Sequence, residues 1–430
     1  MVLVVSNLND NGPGSFREAA TRNQPRIIVF SVSGTIHLNS PLVIKGNATI
    51  AGQTAPGDGI CLADQPVSLG GNNIIVRFLR FRMGDRYQSL KGKVPGSGSD
   101  DAFGGNRYKH LIVDHCSMSW STDEVFSLYG GDSSTIQWNI ISEPLNYSYH
   151  FEEGDTDWQK HGFGAIWGGA HLSAHHNLFA HCASRTPRFN GARLGAVQDF
   201  VDFCNNVIYN WGHNNVYGGE GGTYNIVNNY YKPGPSTAAQ VRRRIVNPTR
   251  TGDVGFGRFY VAGNVMDGAL DISRNNWLGV EMGGKASPAE KQEAVVAQPF
   301  PAGPVQLQDA TDAFTAVLQH AGASWRRDTL DARIIRDVKN SAGRIIDVQG
   351  GFPHGTSYEQ SRVAWPYLNR QSPPSDADAD GMPDDWEQQH GLNPLNRYDA
   401  AEHQLHPHYT NIEVYINSIV SSPKISEKKP

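Results

Sequence analysis

The sequence predicts an all-β chain folded as a parallel β-helix, a solenoid in which short strands stack in successive rungs. The first observation is composition: 39% of the residues are hydrophobic, 18% are charged and 46 of the 430 are glycine. This profile is typical of many short strands joined by turns. The second observation is a short repeat of one polar and two apolar residues. No helical pattern alternates with the strands, which argues against a doubly wound sheet.

The repeat returns six times along the chain. Its polar positions are Cys116, Asn139, Asn177, Asn206, Asn229 and Asn264, separated by 23, 38, 29, 23 and 35 residues. A base period of about 22–24 residues with variable insertions matches one rung of a parallel β-helix. Asparagine at equivalent turns can bond to its neighbour and tolerates left-handed backbone. We therefore expect an asparagine ladder along the solenoid.

An N-terminal capping helix is predicted first. Ser15 and Glu18 have the spacing of a capping box, and alanines follow, so a short helix should begin there. From Ile27 onward, short apolar runs punctuated by glycine and asparagine predict strands. We expect strands at Arg26–Phe30, Thr35–Leu38, Leu42–Ile44, Ala48–Ile50, Ile74–Phe81, Leu111–Val113, Thr135–Ile141, His175–Phe179, Phe200–Tyr209, Tyr224–Tyr231 and Phe259–Val265.

The pattern changes after about Asp267, where helical spacing replaces the short strands. Two helices are predicted by the apolar residues Phe314, Val317, Leu318 and Ala321, and by Leu330, Ile334 and Val338. We expect both to pack against the solenoid. The chain is thus divided into a β-helix over residues 1–266, a helical extension over 267–370 and a C-terminal calcium-loop segment over 371–430.

The C-terminal segment contains the spacing of a calcium loop. Acidic residues stand at positions 1, 3, 5, 9 and 12 of one stretch, at Asp376, Asp378, Asp380, Asp384 and Glu387. Gly381 occupies position 6. Calcium takes about six to eight oxygen ligands, and this spacing wraps them around one ion. We expect a structural calcium site with Thr410–Ile419 as its partner helix; the alternative is a solvated acidic turn.

Three arginines lie on a loop between two copies of the repeat: Arg185, Arg188 and Arg193. A planar guanidinium binds carboxylates bidentately, so this loop is predicted to bind an anionic substrate. The alternative is that the three arginines form ordinary surface salt bridges.

Carboxylates and a lysine lie upstream at similar offsets. Asp101 and Asp123 are one rung period apart in the sequence, so on a solenoid they could lie side by side. Stacked carboxylates repel each other unless a cation lies between them, and calcium suits oxygen ligands. Lys160 precedes Arg185 by slightly more than one rung period and could stack on it. Together these residues predict a site for an acidic sugar polymer.

Several classes of function are excluded by composition. A net charge of −5 gives no overall basic face, so nucleic-acid binding is not expected. The sequence contains no window of about 18 apolar residues, so no transmembrane span is predicted. The first residues lack the pattern of a signal peptide. The cysteines lack zinc spacing. Cys182 and Cys204 are either two buried thiols or a disulfide.

Long motifs resemble the pectate lyases of polysaccharide lyase family 1. They read NLNDNGPGSFREA, TIAGQTAPGDGICL, VDHCSMSWSTDE and SRTPRFNG, and the resemblance covers roughly Val2 to Gly355. The calcium-loop tail resembles those of bacterial members, so a bacterial protein is expected. The resemblance implies a right-handed parallel β-helix that cleaves homogalacturonan by calcium-assisted β-elimination, giving 4,5-unsaturated oligogalacturonides.

The resemblance also implies roles for individual residues. The first arginine of an Arg-x-Pro-x segment is the base in the family, which corresponds to Arg185, and a lysine on the preceding rung corresponds to Lys160. The calcium carboxylates correspond to Asp101 and Asp123. Arg193 is expected to be a second substrate arginine, with Arg188 as its competitor.

One departure from the family concerns the calcium site. The family often has another aspartate four residues after the one matching Asp123, and here that residue is Ser127. Asp100, Glu124 or the substrate would then complete the ligands. A polymeric substrate outside the cell implies a secreted, periplasmic or cell-surface protein, and we expect a monomer.

Three other functions remain open on the sequence. A β-helix glycoside hydrolase would need an acid and base pair, for which Asp100 and Asp101 could nominally serve, but it has no use for an arginine-rich loop. A pectin lyase would act on methylated polymer without calcium. A solenoid that only binds carbohydrate would need neither Arg185 nor a calcium ion in a cleft.

Overall fold

Three parallel sheets run along the molecule, and successive rungs add one strand to each sheet. A computed structural model describes residues 1–195, 199–283 and 286–421. The strands in this part of the chain are β1 (Val2–Val5), β2 (Arg26–Phe30), β3 (Gly34–His37), β4 (Leu42–Lys45), β5 (Ala48–Ala51), β6 (Ile60–Ala63), β7 (Val67–Gly70), β8 (Ile74–Arg77), β9 (Leu79–Arg82), β10 (Phe103–Asn106), β11 (Leu111–Asp114), β12 (Ser117–Ser119), β13 (Phe126–Gly131), β14 (Ser134–Gln137), β15 (Ile140–Ser142), β16 (Ile166–Gly169), β17 (Leu172–His175), β18 (Leu178–Ala180), β19 (Arg188–Phe189), β20 (Phe200–Cys204), β21 (Val207–Tyr209), β22 (Val216–Gly218), β23 (Thr223–Val227), β24 (Tyr230–Lys232), β25 (Val246–Pro248), β26 (Arg258–Ala262) and β27 (Val265–Met266).

The sheets confirm the predicted right-handed parallel β-helix. The first sheet contains β1, β2, β5, β8, β11, β14, β17, β20, β23 and β26. The second contains β4, β7, β10, β13, β16, β19, β22 and β25, and the third contains β3, β6, β9, β12, β15, β18, β21, β24 and β27. Neighbouring strands pair in parallel, so that Phe103 lies opposite Phe126 and Ile136 opposite Ala174.

The core fills the inside of the solenoid. In the first sheet Val76, Val113, Ile136 and Phe203 are at most 1% exposed, and burying such a side chain contributes about 1.5–3 kcal/mol. No rung could bury its inner face alone, because that face is covered by the rungs above and below it. The cysteines are four free, buried thiols, so Cys182 and Cys204 do not form a disulfide.

The asparagine ladder lies where the first sheet turns into the third. Asn139 Nδ2 donates to Asn177 Oδ1 (2.9 Å), and Asn177 Nδ2 donates to Asn206 Oδ1 (3.0 Å). The series continues from Asn206 to Asn229 (3.0 Å) and from Asn229 to Asn264 (2.9 Å). Buried amides cost free energy unless they are bonded, and the ladder satisfies them from rung to rung. The predicted ladder is confirmed.

The ladder continues beyond the predicted positions. Asn264 Nδ2 donates to Asn276 Oδ1 at 3.0 Å. Asn276 follows Asn264 by 12 residues and lies in a 3-10 turn after the last strand. The rung period could not reveal it, because the chain between them forms a short helix instead of a full rung.

Each long predicted strand is in fact two strands of different sheets. The predicted strand Thr135–Ile141 is divided between β14 and β15, and Trp138 stands at the corner with a φ of 55°. The residue before each of the six predicted repeat positions is left-handed in the same way, as at His115 (52°) and His176 (56°). The corner rings stack, with 4.2 Å between the centroids of Trp138 and His176. Apolar runs alone do not locate these corners.

Helices cover the end and one side of the solenoid. They are α1 (Phe16–Ala20), α2 (Leu270–Arg274), α3 (Pro288–Ala294), α4 (Ala310–His320), α5 (Thr329–Asn340), α6 (Tyr358–Ser361), α7 (Asp384–Gln389) and α8 (Asn411–Ser421). In α1, the Ser15 side chain accepts from the Glu18 N–H, as predicted, but Glu18 accepts from the Gly14 N–H instead of completing the box. Phe16 of α1 is buried against Phe30.

The helices α4 and α5 pack on the third sheet, as predicted. Val317, Ile334 and Val338 are buried with Leu178 and Val207 of the sheet. A buried ion network joins the same two layers: Arg82 of β9 lies 2.8 Å from Asp328 and 2.9 Å from Asp331. Such a network is costly to break because it would leave a buried charge unpaired.

The C-terminal segment packs on the other side, against the first strands of the first sheet. Met382, Ile412 and Ile416 share a small core with Val29 and Ala51. The helix predicted over Thr410–Ile419 is α8, Asn411–Ser421. Residues 422–430 of the predicted segment lie outside the described residues. No helix in the described ranges is long and apolar enough to span a membrane.

Candidate active site

A cleft of about 570 Å³ opens on the outer side of the second sheet. Strands β7, β10, β13 and β16 contribute to its floor, and the loops before them form its walls. The floor has no room for a side chain at Gly104, because a Cβ there would lie 2.5 Å from the Ser127 carbonyl oxygen. The charged and polar residues of the lining include Asp100, Asp101, Asp123, Glu124, Ser127, Glu152, His161, Arg185 and Arg193.

Three carboxylates converge in the cleft. Oxygens of Asp101, Asp123 and Glu124 all lie within 4.8 Å of one another. The strands that follow pair Phe103 with Phe126, so Asp101 stacks on Glu124 and not on Asp123. Asp101 Oδ1 accepts from the Glu124 N–H at 3.1 Å. The predicted pairing of Asp101 with Asp123 is thus shifted by one residue, but the Asp123 side chain still joins the cluster.

Two of the three carboxylates have pKa values that are shifted in opposite directions. Burial, together with the Asp123 carboxylate, holds the pKa of Asp101 well above its usual range. Burial also raises the pKa of Asp123, but the contact with His161 outweighs it, and the net pKa lies below the ordinary value. Repulsion between neighbouring carboxylates favours a proton on one of them or a cation between them. These carboxylates are therefore a candidate cation site.

His161 supports Asp123. Its Nε2 lies 2.6 Å from Asp123 Oδ1, and its ring stacks on His150 with 4.0 Å between centroids. His150 Nδ1 lies 3.1 Å from the carbonyl oxygen of Gly98. His161 thus holds one oxygen of Asp123, and the stacked His150 ring supports His161.

Arg185 lies beside the carboxylates. Its Nη1 forms an ion pair with Glu124 Oε1, and its Nε donates to the Tyr217 hydroxyl at 3.2 Å. The guanidinium carbon lies 4.3 Å from the centre of the Phe163 ring. The φ of Arg185 is 59°, a left-handed conformation that is uncommon for a residue with a side chain and that clusters at functional sites. Carboxylate, hydroxyl and ring together hold the guanidinium at the cleft.

Arg193 also reaches the cleft. It is exposed on the 3-10 turn Gly191–Leu194 and forms no ion pair with any described residue. Asp199 secures this turn, because its Oδ2 accepts from the Gly191 N–H at 2.7 Å. Burial raises the pKa of Asp199 to about 6. A guanidinium on a turn at the rim can contact a ligand without giving up a partner among the described residues.

Arg188 and Asp100 were also predicted to belong to the site, but in the structure both side chains are bound to other residues. Arg188 Nη2 lies 3.0 Å from Glu220 Oε1, and Arg188 is absent from the cleft lining. Asp100 lines the cleft, but one oxygen accepts from both Lys91 Nζ and Gln88 Nε2 at 2.9 Å. Both predicted residues are therefore already engaged by other side chains.

Lys160 also differs from its prediction. It is exposed, pairs with Tyr147 in a hairpin and does not line the cleft. Ser184 pairs with Phe163, so Gly164 and not Lys160 lies beside Arg185. The predicted stacking of Lys160 on Arg185 is wrong because the hairpin interrupts the rung before Gly162.

Sequence reasoning missed three contacts of the site. His161, Phe163 and Tyr217 touch Asp123 or Arg185, but none was singled out. A signal existed for His161, since it follows Lys160 directly and the rung resumes at Phe163. Tyr217 lies 32 residues after Arg185 and carried no signal, because the following rung contains insertions.

A second acidic cluster lies in the C-terminal segment. Oxygens of Asp376, Asp378 and Asp380 form one group within 4.8 Å, and those of Asp380, Glu387 and Asp399 form another. Asp380, Glu387 and Asp399 are at most 2% exposed. Glu387 has no hydrogen-bond partner on either oxygen among the described residues. These unsatisfied buried oxygens are the donor set that calcium takes.

The acidic residues that converge in this cluster differ from the predicted ligands at one residue. Asp384 turns away and caps the loop, accepting from Ser375 Oγ at 2.5 Å and the Ala377 N–H at 2.8 Å. Asp399, which was not predicted, takes its place. It lies beyond α7, so the loop spacing could not identify it.

Protonation in this cluster reflects crowded carboxylates. Burial, then repulsion from the neighbouring acids, raises the pKa of Asp380 to about 7 and that of Glu387 to about 8. Both groups would be fully ionised at neutral pH only if a cation offset their neighbours.

Comparison with known proteins places this geometry in a family, although no family model matches the chain. A probable pectate lyase C from Aspergillus flavus is 35% identical over 437 residues, which is 98% of this chain and 90% of that protein. The probable pectate lyase C of Aspergillus terreus is 35% identical over 435 residues, with the same coverage. These relatives are fungal, whereas a bacterial protein was expected.

A solved structure supports the fold alone. The crystal structure of the major allergen from cedar pollen has a TM-score of 0.50 and 17% identity, covering 75% of this chain and 88% of that one. Identity of 35% along 98% of the chain, on a parallel β-helix with an acidic cleft, settles the assignment. This chain belongs to the pectate lyase family.

Proposed function

We propose that this protein is a calcium-dependent pectate lyase that cleaves de-esterified homogalacturonan by β-elimination, with Arg185 as the base. The observation that carries the proposal is a single cleft in which Arg185 lies beside the Asp101, Asp123 and Glu124 carboxylates. A cation site next to a guanidinium is the arrangement needed to remove a proton from a uronate.

The three carboxylates fit calcium. The donor set is entirely oxygen, as this ion prefers, and the oxygens of the three carboxylates lie within 4.8 Å of one another. Glu124 replaces the carboxylate that is missing at Ser127, since Asp100 is engaged by Lys91. When bound, calcium would neutralise the uronate carboxylate and stabilise the negative charge that develops next to it.

Arg185 performs the proton transfer in this proposal. The C5 proton of galacturonate is α to the C6 carboxylate, and the guanidinium removes it after giving up a proton of its own. The C5–H electron pair forms the new C4–C5 double bond as the C4–O4 bond breaks. The departing O4 takes up one proton from water, which replaces the proton that Arg185 had released to solvent, so the new chain end is a hydroxyl. The products are a chain with a new end at O4 and a 4,5-unsaturated oligogalacturonide. Arginine normally keeps its proton, so this step depends on bound calcium, whose charge would offset the neighbouring carboxylates and oppose the positive charge of Arg185.

Arg193 is the proposed substrate arginine. It is exposed at the rim and can bind a second uronate carboxylate bidentately. Arg188 is the weaker candidate because it is paired with Glu220. Lys160 is left out of the proposed site because it does not line the cleft.

The proposed organisation keeps three segments. Residues 1–266 carry the catalytic cleft, 267–370 cover the third sheet, and 371–430 hold a structural calcium through Asp376, Asp378, Asp380, Glu387 and Asp399. The partner is an acidic polysaccharide and not nucleic acid. We further propose a monomer that is secreted or displayed at the cell surface, because its polymeric substrate lies outside the cell.

The test is the ultraviolet absorbance of unsaturated product on polygalacturonate, with and without a calcium chelator. We expect a calcium-dependent rise that is abolished in Arg185→Ala. Arg243→Ala is the matched control, because this arginine is 59% exposed and pairs with Asp271 away from the cleft.

Other outcomes would identify other functions. A rise that ignores the chelator and favours methylated polymer would indicate a pectin lyase. Reducing ends without the absorbance would indicate a hydrolase, and binding without cleavage would indicate a carbohydrate-binding solenoid.

A further inference from the structure

Glu124 lies between the two halves of the cleft. On one side its Oε1 pairs with Arg185 Nη1. On the other, its ligand oxygen lies within 4.8 Å of those of Asp101 and Asp123. Its side chain is 5% exposed, so the carboxylate cannot turn out into water. The same carboxylate is therefore within reach of the proposed base and of the proposed ion.

We infer that Glu124 is a shared ligand, which pairs with Arg185 in the calcium-free protein and transfers to calcium when the ion binds. The transfer frees an edge of the Arg185 guanidinium for the substrate at the moment the ion site is completed. This inference rests on the calcium site of the proposed function.

The contacts of Arg185 explain why the transfer would leave the arginine in place. Tyr217 accepts from its Nε at 3.2 Å, and the centre of the Phe163 ring lies 4.3 Å from the guanidinium carbon. Neither contact uses Nη1, the atom that Glu124 holds. Loss of the carboxylate thus opens the edge of the guanidinium without releasing the side chain.

The charges explain why the transfer requires competition. Arg185 and a divalent ion are both cations, and one buried carboxylate cannot fully satisfy both. Arg185 therefore opposes calcium binding through Glu124, and calcium opposes the ion pair by the same factor, because coupling between two sites is reciprocal. Couplings of this kind typically change an affinity by about 5–150-fold.

The test is calcium binding to the full chain by isothermal titration calorimetry. We expect Arg185→Ala to tighten the cleft site about 10-fold and Glu124→Gln to weaken it by a similar factor. In the double variant, removal of Arg185 should change calcium affinity by less than about 3-fold, because no shared carboxylate remains. The C-terminal site is an internal reference whose affinity should stay constant.

Arg193→Ala is the matched control, since it removes a guanidinium from the same cleft that has no described carboxylate partner. Equal tightening by Arg185→Ala with and without Glu124 would overturn the inference, as would unchanged affinity in Glu124→Gln. If Glu124→Gln does not fold, Arg185→Ala against Arg193→Ala decides, and equal tightening by both refutes the shared ligand. Failure to cleave polygalacturonate would defeat the proposed function alone, whereas cleavage without this coupling would defeat only this inference.

Discussion

The two acidic clusters of this protein contain the same types of side chain, aspartate and glutamate, but their negative charges are offset in different ways. In the cleft, Asp123 contacts His161 and Glu124 pairs with Arg185. In the C-terminal segment, Glu387 is buried with no partner on either oxygen among the described residues. The cleft supplies a guanidinium and an imidazole as partners for its carboxylates. The buried acids of the C-terminal cluster have no basic side chain within ion-pair distance among the described residues.

In the proposed function, this difference would separate a catalytic calcium site from a structural one. A carboxylate that already has a partner can exchange it for an ion or a substrate at modest cost, so calcium in the cleft can come and go. Carboxylates without partners repel each other until an ion arrives, so binding free energy there becomes folding free energy. Activity should follow the first cluster and stability the second.

The largest effect is expected at the base. Arg185→Ala should lower kcat on polygalacturonate about 1,000-fold, since a positioned base contributes about 10²–10⁴ in rate. Thermal unfolding should change little. A similar loss of kcat in Glu387→Gln at saturating calcium would contradict the assignment of activity to the first cluster and stability to the second.

Loss of the C-terminal ion should lower stability. The double change Asp380→Asn with Glu387→Gln should remove the stabilisation that calcium provides, about 2.7 kcal/mol at 100 times Kd. Calcium should then no longer raise the unfolding temperature of the segment that packs on Val29 and Ala51. Differential scanning calorimetry with and without calcium measures this. An undiminished calcium effect on unfolding would place the structural ion elsewhere.

The pH dependence of the calcium-free protein gives a sharper contrast. The folded-state pKa of Asp380 is about 7 and that of Glu387 about 8, both raised first by burial. The folded state therefore binds more protons than the unfolded state, and stability should fall as pH rises from about 4 to 8. Saturating calcium should flatten this slope. A calcium-free protein that gains stability across the same pH range would contradict the raised pKa values.

The next effect in size distinguishes Asp399, a ligand proposed from the structure, from Asp384, a ligand predicted from the sequence. Asp399→Asn should weaken the calcium dependence of stability, whereas Asp384→Asn should remove only a loop cap, at about 1 kcal/mol. Melting temperatures over a calcium titration distinguish them. If both variants shift the calcium concentration at the midpoint of the titration equally, Asp384 would be a ligand after all.

The smallest effect is expected at Asp100. Asp100→Asn should change cleft calcium affinity less than about 3-fold, because Lys91 and Gln88 already hold this carboxylate. Asp101→Asn should weaken binding far more, since Asp101 belongs to the converging group. Calorimetric titration of both variants provides the check, and similar losses would place Asp100 among the ligands.

The sequence predicted the solenoid well because its signal is local and repeated. The ladder positions could be aligned from the repeat alone, and the asparagines among them bond to one another in the fold. The same method failed at strand boundaries, since a single left-handed residue such as Trp138 ends one strand and begins another. The pattern of apolar residues does not show where that corner lies.

The candidate site was predicted where one short motif carried it. Arg185, Asp101 and Asp123 were found because their neighbours form recognisable motifs, and they meet in one cleft. Lys160 does not stack on Arg185 as expected, because that expectation depended on how the rungs align. The rungs of this chain differ in length, so an offset counted along the sequence does not show which side chains stack.

By itself, the sequence determined the parallel β-helix, the pectate lyase kinship and the identity of the base candidate, because each is written in repeats or contiguous motifs. The tertiary structure alone decided which partner each charge takes. Glu124 with Arg185 and His161 with Asp123 are contacts between distant parts of the chain, and Asp399 joins the acidic group of Glu387 from beyond α7. Insertions of unequal length lie between such residues, and only packed rungs and helices set the final distance between two side chains.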